Sequence, residues 1–151
     1  IVARNAGFKA SDVMEERMVT VWFNTPVRFK TAGAYSGSFS PDDLIDACKR
    51  RIVTLQGFYG NDQLGQPENS RRPSSDRRLF EVARNTQWVD HVHWSGRQRS
   101  AMKLGGVVGT FSFMGRAPRI DWETLSLCGL LGAGKNTSFG YGDISVRFDR
   151  K

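Results

Sequence analysis

GLLGAGKNTSFGYG, residues 129–142, places five glycines and one lysine directly before DISVRF, residues 143–148, whose apolar side chains alternate. Glycine has no Cβ and tolerates positive φ, so such a backbone can approach a ligand closely, and Lys135 adds a mobile positive charge. Phosphate is the chemistry that this combination suits. Gly129, Gly134 and Lys135 match most of the nucleotide-binding spacing G-x-x-x-x-G-K-[ST], but Asn136 stands where that motif needs its magnesium-binding hydroxyl. The setting is also inverted. The nucleotide loop follows a strand and opens a helix, whereas here residues 121–131 read as a helix and residues 143–148 as a strand. A nucleoside-triphosphatase is therefore set aside.

Working outward from this loop, the helix at 121–131 is expected to bury Trp122, Leu125 and Leu130 with Cys128 or Leu131, and Asp121 and Glu123 suit its amino end. Before it, residues 104–114 read as a strand with Phe111 and Phe113 in the core and Val108, Thr110 and Ser112 on the other face. Gly105, Gly106 and Gly109 predict a bulge or a close approach there. Residues 87–94 form another strand. Residues 17–24 alternate well enough for a first strand, with Val19, Val21 and Phe23 on one face and Pro26 expected to limit it. Ser40-Pro41-Asp42-Asp43 is a helix start, with Ser40 as cap and Asp43 reaching back to it. The stripe Leu44, Cys48, Ile52, Leu55 and Tyr59 follows, with Lys49, Arg50 and Arg51 mostly off it.

The resulting order is β-α-β-β-α-β, an α+β ferredoxin-like arrangement with two helices on one side of a four-stranded antiparallel sheet and a glycine-rich loop before the last strand. Residues 60–76, rich in Gly, Pro, Asn and Ser, are expected to form a long surface loop. Residues 1–16 read as a lead-in or interdomain linker, and residues 17–151 as one domain. The length of 151 residues suits a single core.

Lys and Arg number 22 against 15 Asp and Glu, a net charge of +7. The basic residues gather at Arg71-Arg72, Arg77-Arg78, Arg97/Arg99/Lys103 and Arg147/Arg150/Lys151, which suits a polyanion if several clusters share a face and is otherwise a solvated surface. Cys48 and Cys128 fall in helical apolar patterns and read as buried free thiols of a reducing, cytoplasmic compartment. No apolar run reaches membrane-spanning length, and a membrane partner is not expected. The start at Ile1 lacks the order of a signal peptide, and the chain is expected to be a fragment whose missing first half carries chemistry.

His91 and His93 are the two histidines of the chain. Two apart on a strand, they share a face with Val89, opposite Trp88, Asp90, Val92 and Trp94. The Trp/Val face is read as core and the histidine face as half-exposed, where the pair can be solvated, contact a polyanion, or act as acid and base. With Asp90 as the one local acidic candidate, too few ligands gather for a metal, and no metal or other cofactor is expected. Arg97, Arg99 and Lys103 occupy the bend after Trp94-Ser95-Gly96, as a polar hairpin or as contacts to successive phosphates. Phe139 is expected to plug the loop base into the core. Tyr141 is a candidate for contact with the polyanion or for capping the sheet edge, and the Ser138 hydroxyl for phosphate or its own loop.

These elements carry a family resemblance. VTVWFNTPVRFK, residues 19–30, resembles the first strand, and Gly132, Gly134, Lys135, Ser138, Phe139, Gly140, Tyr141 and Gly142 resemble the glycine-rich loop, of the C-terminal domain of the CRISPR-associated endoribonuclease that processes repeat RNA, in the RAMP superfamily. The likeness runs from about residue 17 to 151. It implies two ferredoxin-like domains in tandem, binding of CRISPR repeat RNA, and metal-independent attack of a 2′-hydroxyl on the adjacent phosphate, leaving a cyclic phosphate and a 5′-hydroxyl. In many members the catalytic histidine belongs to the N-terminal domain, so no catalytic residue is assigned here and cleavage by this chain alone is not expected. The RNA-binding candidates are Arg97, Arg99, Lys103, Gly132, Gly134, Lys135, Asn136, Ser138, Gly140, Tyr141 and Gly142. The alternatives are a noncatalytic RAMP-like subunit that holds guide RNA among other CRISPR ribonucleoprotein subunits, and a protein-interaction domain using the bare sheet, for which RNA binding would not be salt-sensitive.

Overall fold

The computed structural model describes residues 13–59 and 76–150. The sheet comprises β1 (Met14–Val27), β4 (Arg78–Ser95), β5 (Ser100–Pro118) and β6 (Ile144–Phe148), all pairings antiparallel, in the order β4-β5-β1-β6. Helix α1 (Pro41–Tyr59) links the first two of these strands, and α2 (Arg119–Leu131) joins β5 to the glycine-rich loop. A small separate hairpin, β2 (Lys30–Thr31) and β3 (Ala34–Tyr35), precedes α1. This is the ferredoxin-like β-α-β-β-α-β fold expected from the sequence.

The core follows from period-two patterning. Val19, Val21 and Phe23 of β1 are buried beside Phe111 and Phe113 of β5, with Val19 opposite Phe113 and Val21 opposite Phe111. Leu44, Ile45 and Cys48 of α1 and Trp122, Leu125 and Cys128 of α2 close over the same side chains, so both helices cover one face of the sheet. Each such aliphatic or aromatic burial stabilises the fold by about 1.5–3 kcal/mol. The start of α1 is a reciprocal cap: the Ser40 backbone N–H donates to Asp43 Oδ2 (2.8 Å), and the Asp43 N–H donates to Ser40 Oγ (3.2 Å). Cys48 and Cys128 are free and buried, and burial together with its sulfur neighbour Cys128 pushes the Cys48 thiol well above its usual range.

Several expectations need correction. Pro26 lies inside β1, where the ladder to β5 breaks register between Phe23 and Val27; lacking an N–H, it marks an irregularity and not the strand end. β1 also begins at Met14, within the expected lead-in. β4 begins at Arg78, well before residue 87, because this edge strand holds its place by pairing with β5 alone and carries exposed Phe80 and Val82 where a clean alternation would be. Leu130 is 85% exposed: the last turn of α2 passes beyond the cover of the core, and Cys128 takes the buried position. Tyr59 is exposed for the same reason at the end of α1.

Arg77 is a further correction. Its side chain is 1% exposed, and its guanidinium donates to Asp121 and to Asp46 Oδ1 (2.7 Å), with Asp42 Oδ1 at 3.3 Å. Lys49 Nζ lies 2.6 Å from Asp121 Oδ1. Burial opposes the charge on Arg77, but Asp121 and Asp46 outweigh it and hold the guanidinium above its ordinary pKa. Arg77 therefore ties β4 to both helices and does not contribute to a solvent-facing basic cluster. The expected cluster residues Arg71, Arg72 and Lys151, and the expected loop at 60–75, lie outside the described residues.

Candidate nucleic-acid interface

The glycine-rich loop is a backbone-bonded structure. It leaves α2 at Gly132, whose N–H donates to Cys128 O (2.9 Å), and the Ala133 N–H donates to Gly142 O (2.8 Å), which closes the loop on itself. It is also fastened to the end of β1: the Gly142 N–H donates to Pro26 O (3.0 Å), the Lys135 N–H to Arg28 O (3.2 Å), and the Asn24 N–H to Asp143 O (2.9 Å). Two glycines make this closure possible. Gly134 (φ +77°) and Gly142 (φ +80°) are left-handed, and a Cβ would stand 2.6 Å from Arg28 O at Gly134 and 2.1 Å from Ala133 O at Gly142. Between them, Asn136 is also left-handed (φ 62°), and a single 3-10 turn spans Thr137–Phe139.

The close approaches in the third expected strand also materialise, against the chain itself: a Cβ at Gly105 would meet the Trp88 ring, and one at Gly106 would meet Pro26. At Gly140 the outcome is mixed. Its φ is +84°, yet no atom lies within 4 Å of where a Cβ would be, so the residue is needed for its backbone angle and not for a contact within the chain.

The distal part of the β4–β5 hairpin meets the loop through the histidine face. The His93 ring lies 4.7 Å from Phe139 and the His91 ring 6.0 Å from Tyr141, centroid to centroid. Phe139 is 51% exposed and rests on His93, so it does not plug the core as expected; Tyr141 is half-buried. On the opposite face Trp88 packs against the core, but Val92 and Trp94 are exposed, because the hairpin extends past the end of the helical layer. Asp90 accepts from Trp88 Nε1 (2.9 Å) and lies 3.3 Å from Lys103 Nζ; the indole N–H first, then the Lys103 ammonium, hold its carboxyl below the usual range. Arg97 and Arg99 are exposed in the turn at the hairpin tip, where Arg99 is left-handed (φ 48°). Among the described residues, no group of three or more His, Cys, Asp or Glu side chains is placed to hold a metal ion, and no helix is long and apolar enough to cross a membrane.

On its other flank the loop closes a cavity of about 130 Å³ against α1. Arg28, Lys30, Arg50, Arg51 and Lys135 line it, with Ala47, Thr54, Gly134 and the neutral polar Asn136 and Thr137, and no carboxylate among the described residues. Arg28 is 8% exposed and stacks over the Tyr35 ring at 4.2 Å, and its Nε and Nη1 are buried with no hydrogen-bond partner. Arg51 Nε donates to Leu131 O (3.2 Å), one of the free carbonyls at the end of α2. Of these five cations the sequence reading singled out Lys135 as a candidate. Arg28 and Lys30, two apart on an extended segment, and Arg50 with Arg51 on a helix carry no shared periodicity; their convergence is tertiary.

A ferredoxin-like sheet with a glycine-rich loop before its last strand, closed over converging cations, defines the class of domain. The family model of the CRISPR-associated endoribonuclease Cas6 matches residues 21–144, and the chain belongs to that family. No match is found among curated proteins. Solved structures share the fold: a partial Cas6-RT-Cas1–Cas2 complex (TM-score 0.62, 13% identity, 91% of this chain and 23% of that chain) and Thermus thermophilus Cas6 (TM-score 0.58, 17% identity, 88% of this chain and 55% of that chain). A Cas6 product complex is similar at TM-score 0.59 and 15% identity, over 92% of this chain and 54% of that one. The chain thus spans little more than half the length of the Cas6 chains and less than a quarter of the fused assembly chain.

Proposed function

We propose that this chain is the C-terminal RNA-binding domain of a metal-independent endoribonuclease that processes CRISPR repeat precursor RNA, and that it does not cleave efficiently without an N-terminal ferredoxin-like domain. The observation that carries the reading is the glycine-rich loop, pinned to β1 by backbone hydrogen bonds in a member of the Cas6 family, with Lys135 exposed upon it. A loop of that kind presents a cation and glycine backbone without the entropy loss of ordering a flexible segment on binding. On the β4–β5 hairpin, Arg97 and Arg99 in the turn and Lys103, which lies on β5 beside Asp90 and not in the bend, supply sequence-independent phosphate attraction, and Tyr141 offers a half-buried ring to a base. Gly132, Gly134, Asn136, Ser138, Gly140 and Gly142 shape the backbone that the RNA meets. Its cellular setting in this reading is the cytoplasm, where the repeat transcript is made.

Lys135→Ala tests the reading. Its ammonium is exposed, so removal leaves the unfolding temperature within a degree or so of the parent, while RNA affinity falls and the salt slope of log K decreases by about 0.7, the single-strand value for one phosphate contact. Fluorescence anisotropy with labelled repeat RNA over a salt series, alongside thermal unfolding, reads both. An unchanged affinity and slope would remove Lys135 from the interface.

A further inference from the structure

The cavity between α1 and the glycine-rich loop contains a buried cation that the rest of the fold does not use. Arg28 is held by its flanking strand and by Tyr35, yet two of its guanidinium nitrogens are desolvated and unpartnered. Such a group costs stability unless an acceptor reaches it, and removal from water of an unpaired charge is the costlier case. Among the described residues, the carboxylates that neutralise a buried cation do so elsewhere, at Arg77 and Lys49. Here the remaining lining is cationic, small or neutral polar (Asn136, Thr137), and the loop leaves no room for a side chain at Gly134. No negative charge among the described lining residues balances these five cations, and a group that does so must be anionic and small: about 130 Å³ is well below the roughly 300–1,000 Å³ of pockets that take whole small molecules. A tetrahedral phosphate group matches these terms, because a guanidinium offers paired N–H donors to two of its oxygens while Lys30 and Lys135 compensate the remaining charge at the rim.

We propose that this cavity is a single-phosphate pocket with Arg28 as its base, filled by one backbone phosphate of the bound RNA; the RNA as its source rests on the function proposed above, whereas the anion chemistry does not. The pocket also links the loop to α1, since Arg50 and Arg51 on the helix and Lys135 on the loop repel one another until an anion lies between them.

Arg28→Met separates the possibilities. The thioether side chain retains the volume and the Tyr35 contact while removing an unsatisfied buried charge, so the variant is expected to unfold at the same temperature as the parent or higher. Inorganic phosphate, compared with chloride at equal ionic strength, should raise the unfolding temperature of the parent and leave that of Arg28→Met unmoved. Repeat-RNA affinity should fall by about 10- to 150-fold in the variant, the range set by one charged hydrogen-bonded group. If Arg28→Met keeps full RNA affinity while Lys135→Ala loses it, RNA binding stands and the pocket proposal is overturned. If the parent binds no RNA at all, the phosphate arm still decides: an Arg28-dependent shift supports an anion pocket served by free phosphate, and no shift overturns it.

Discussion

Replacing Asp121 with alanine is expected to destabilise the folded chain by about 3–5 kcal/mol, the usual result of deleting one partner of a buried ion pair. Asp121 has no solvent exposure and faces Arg77 and Lys49 together, so its loss leaves two cations desolvated around a methyl group. Asp46 would still reach one end of the Arg77 guanidinium, but Nε would lose its acceptor. The cost falls on the joint between the start of β4 and both helices. Urea unfolding reads it as a lower midpoint with the slope retained. Combining Arg77→Met with Asp121→Leu should restore only part of the loss, because apolar packing can replace the Arg77–Asp121 pair at little cost while Lys49 still lacks its acceptor. An alanine variant with an unchanged midpoint would show that the pair is not buried as described.

Gly142→Val is the second large effect. The left-handed backbone alone costs a branched residue about 1–3 kcal/mol, and the Cβ would have to displace the Ala133 carbonyl 2.1 Å away. That carbonyl is backbone, and Ala133 and Gly142 bond each other, so the whole loop must open to make room. Gly140→Val is the comparison: its φ of +84° gives the same kind of strain, but open space surrounds its Cβ position. The position-142 variant should therefore lose more stability than the position-140 variant, together with at least tenfold in RNA affinity. Equal effects at the two positions, by thermal unfolding and RNA titration, would show that steric closure of the loop contributes nothing.

What the sequence disclosed and what it hid follow from range. Val19, Val21 and Phe23 announce a buried strand face because period two is local, and Ser40 with Asp43 announces a helix start because its hydrogen bonds are local too. The inverted order of helix, glycine-rich loop and strand was legible, and with it the fold. Arg77 read as surface charge because Asp121 and Asp46, which bury it, lie across the fold on the two helices. Leu130, Val92 and Trp94 have the periodicity of core residues and lie past the edge of the core. Arg28 is the converse case, a cation in an extended segment that tertiary closure of the loop buries. That its Nε and Nη1 are buried with no hydrogen-bond partner among the described residues is visible in the structure alone.

RNA binding by this chain is tested most directly by titration of end-labelled CRISPR repeat RNA with the purified chain, without divalent metal, between about 50 and about 200 mM salt, with the same samples run for cleavage products. Four phosphate contacts on a single strand, at about 0.7 in slope each, would lower affinity roughly 50-fold over that fourfold rise in salt. The expected result is steep, linear loss of binding on a log–log plot with the RNA left largely intact. Binding that is absent or flat across the salt range would contradict the RNA-binding assignment, and rapid metal-independent cutting abolished by changing His91 or His93 would contradict the placement of the chemistry outside this domain.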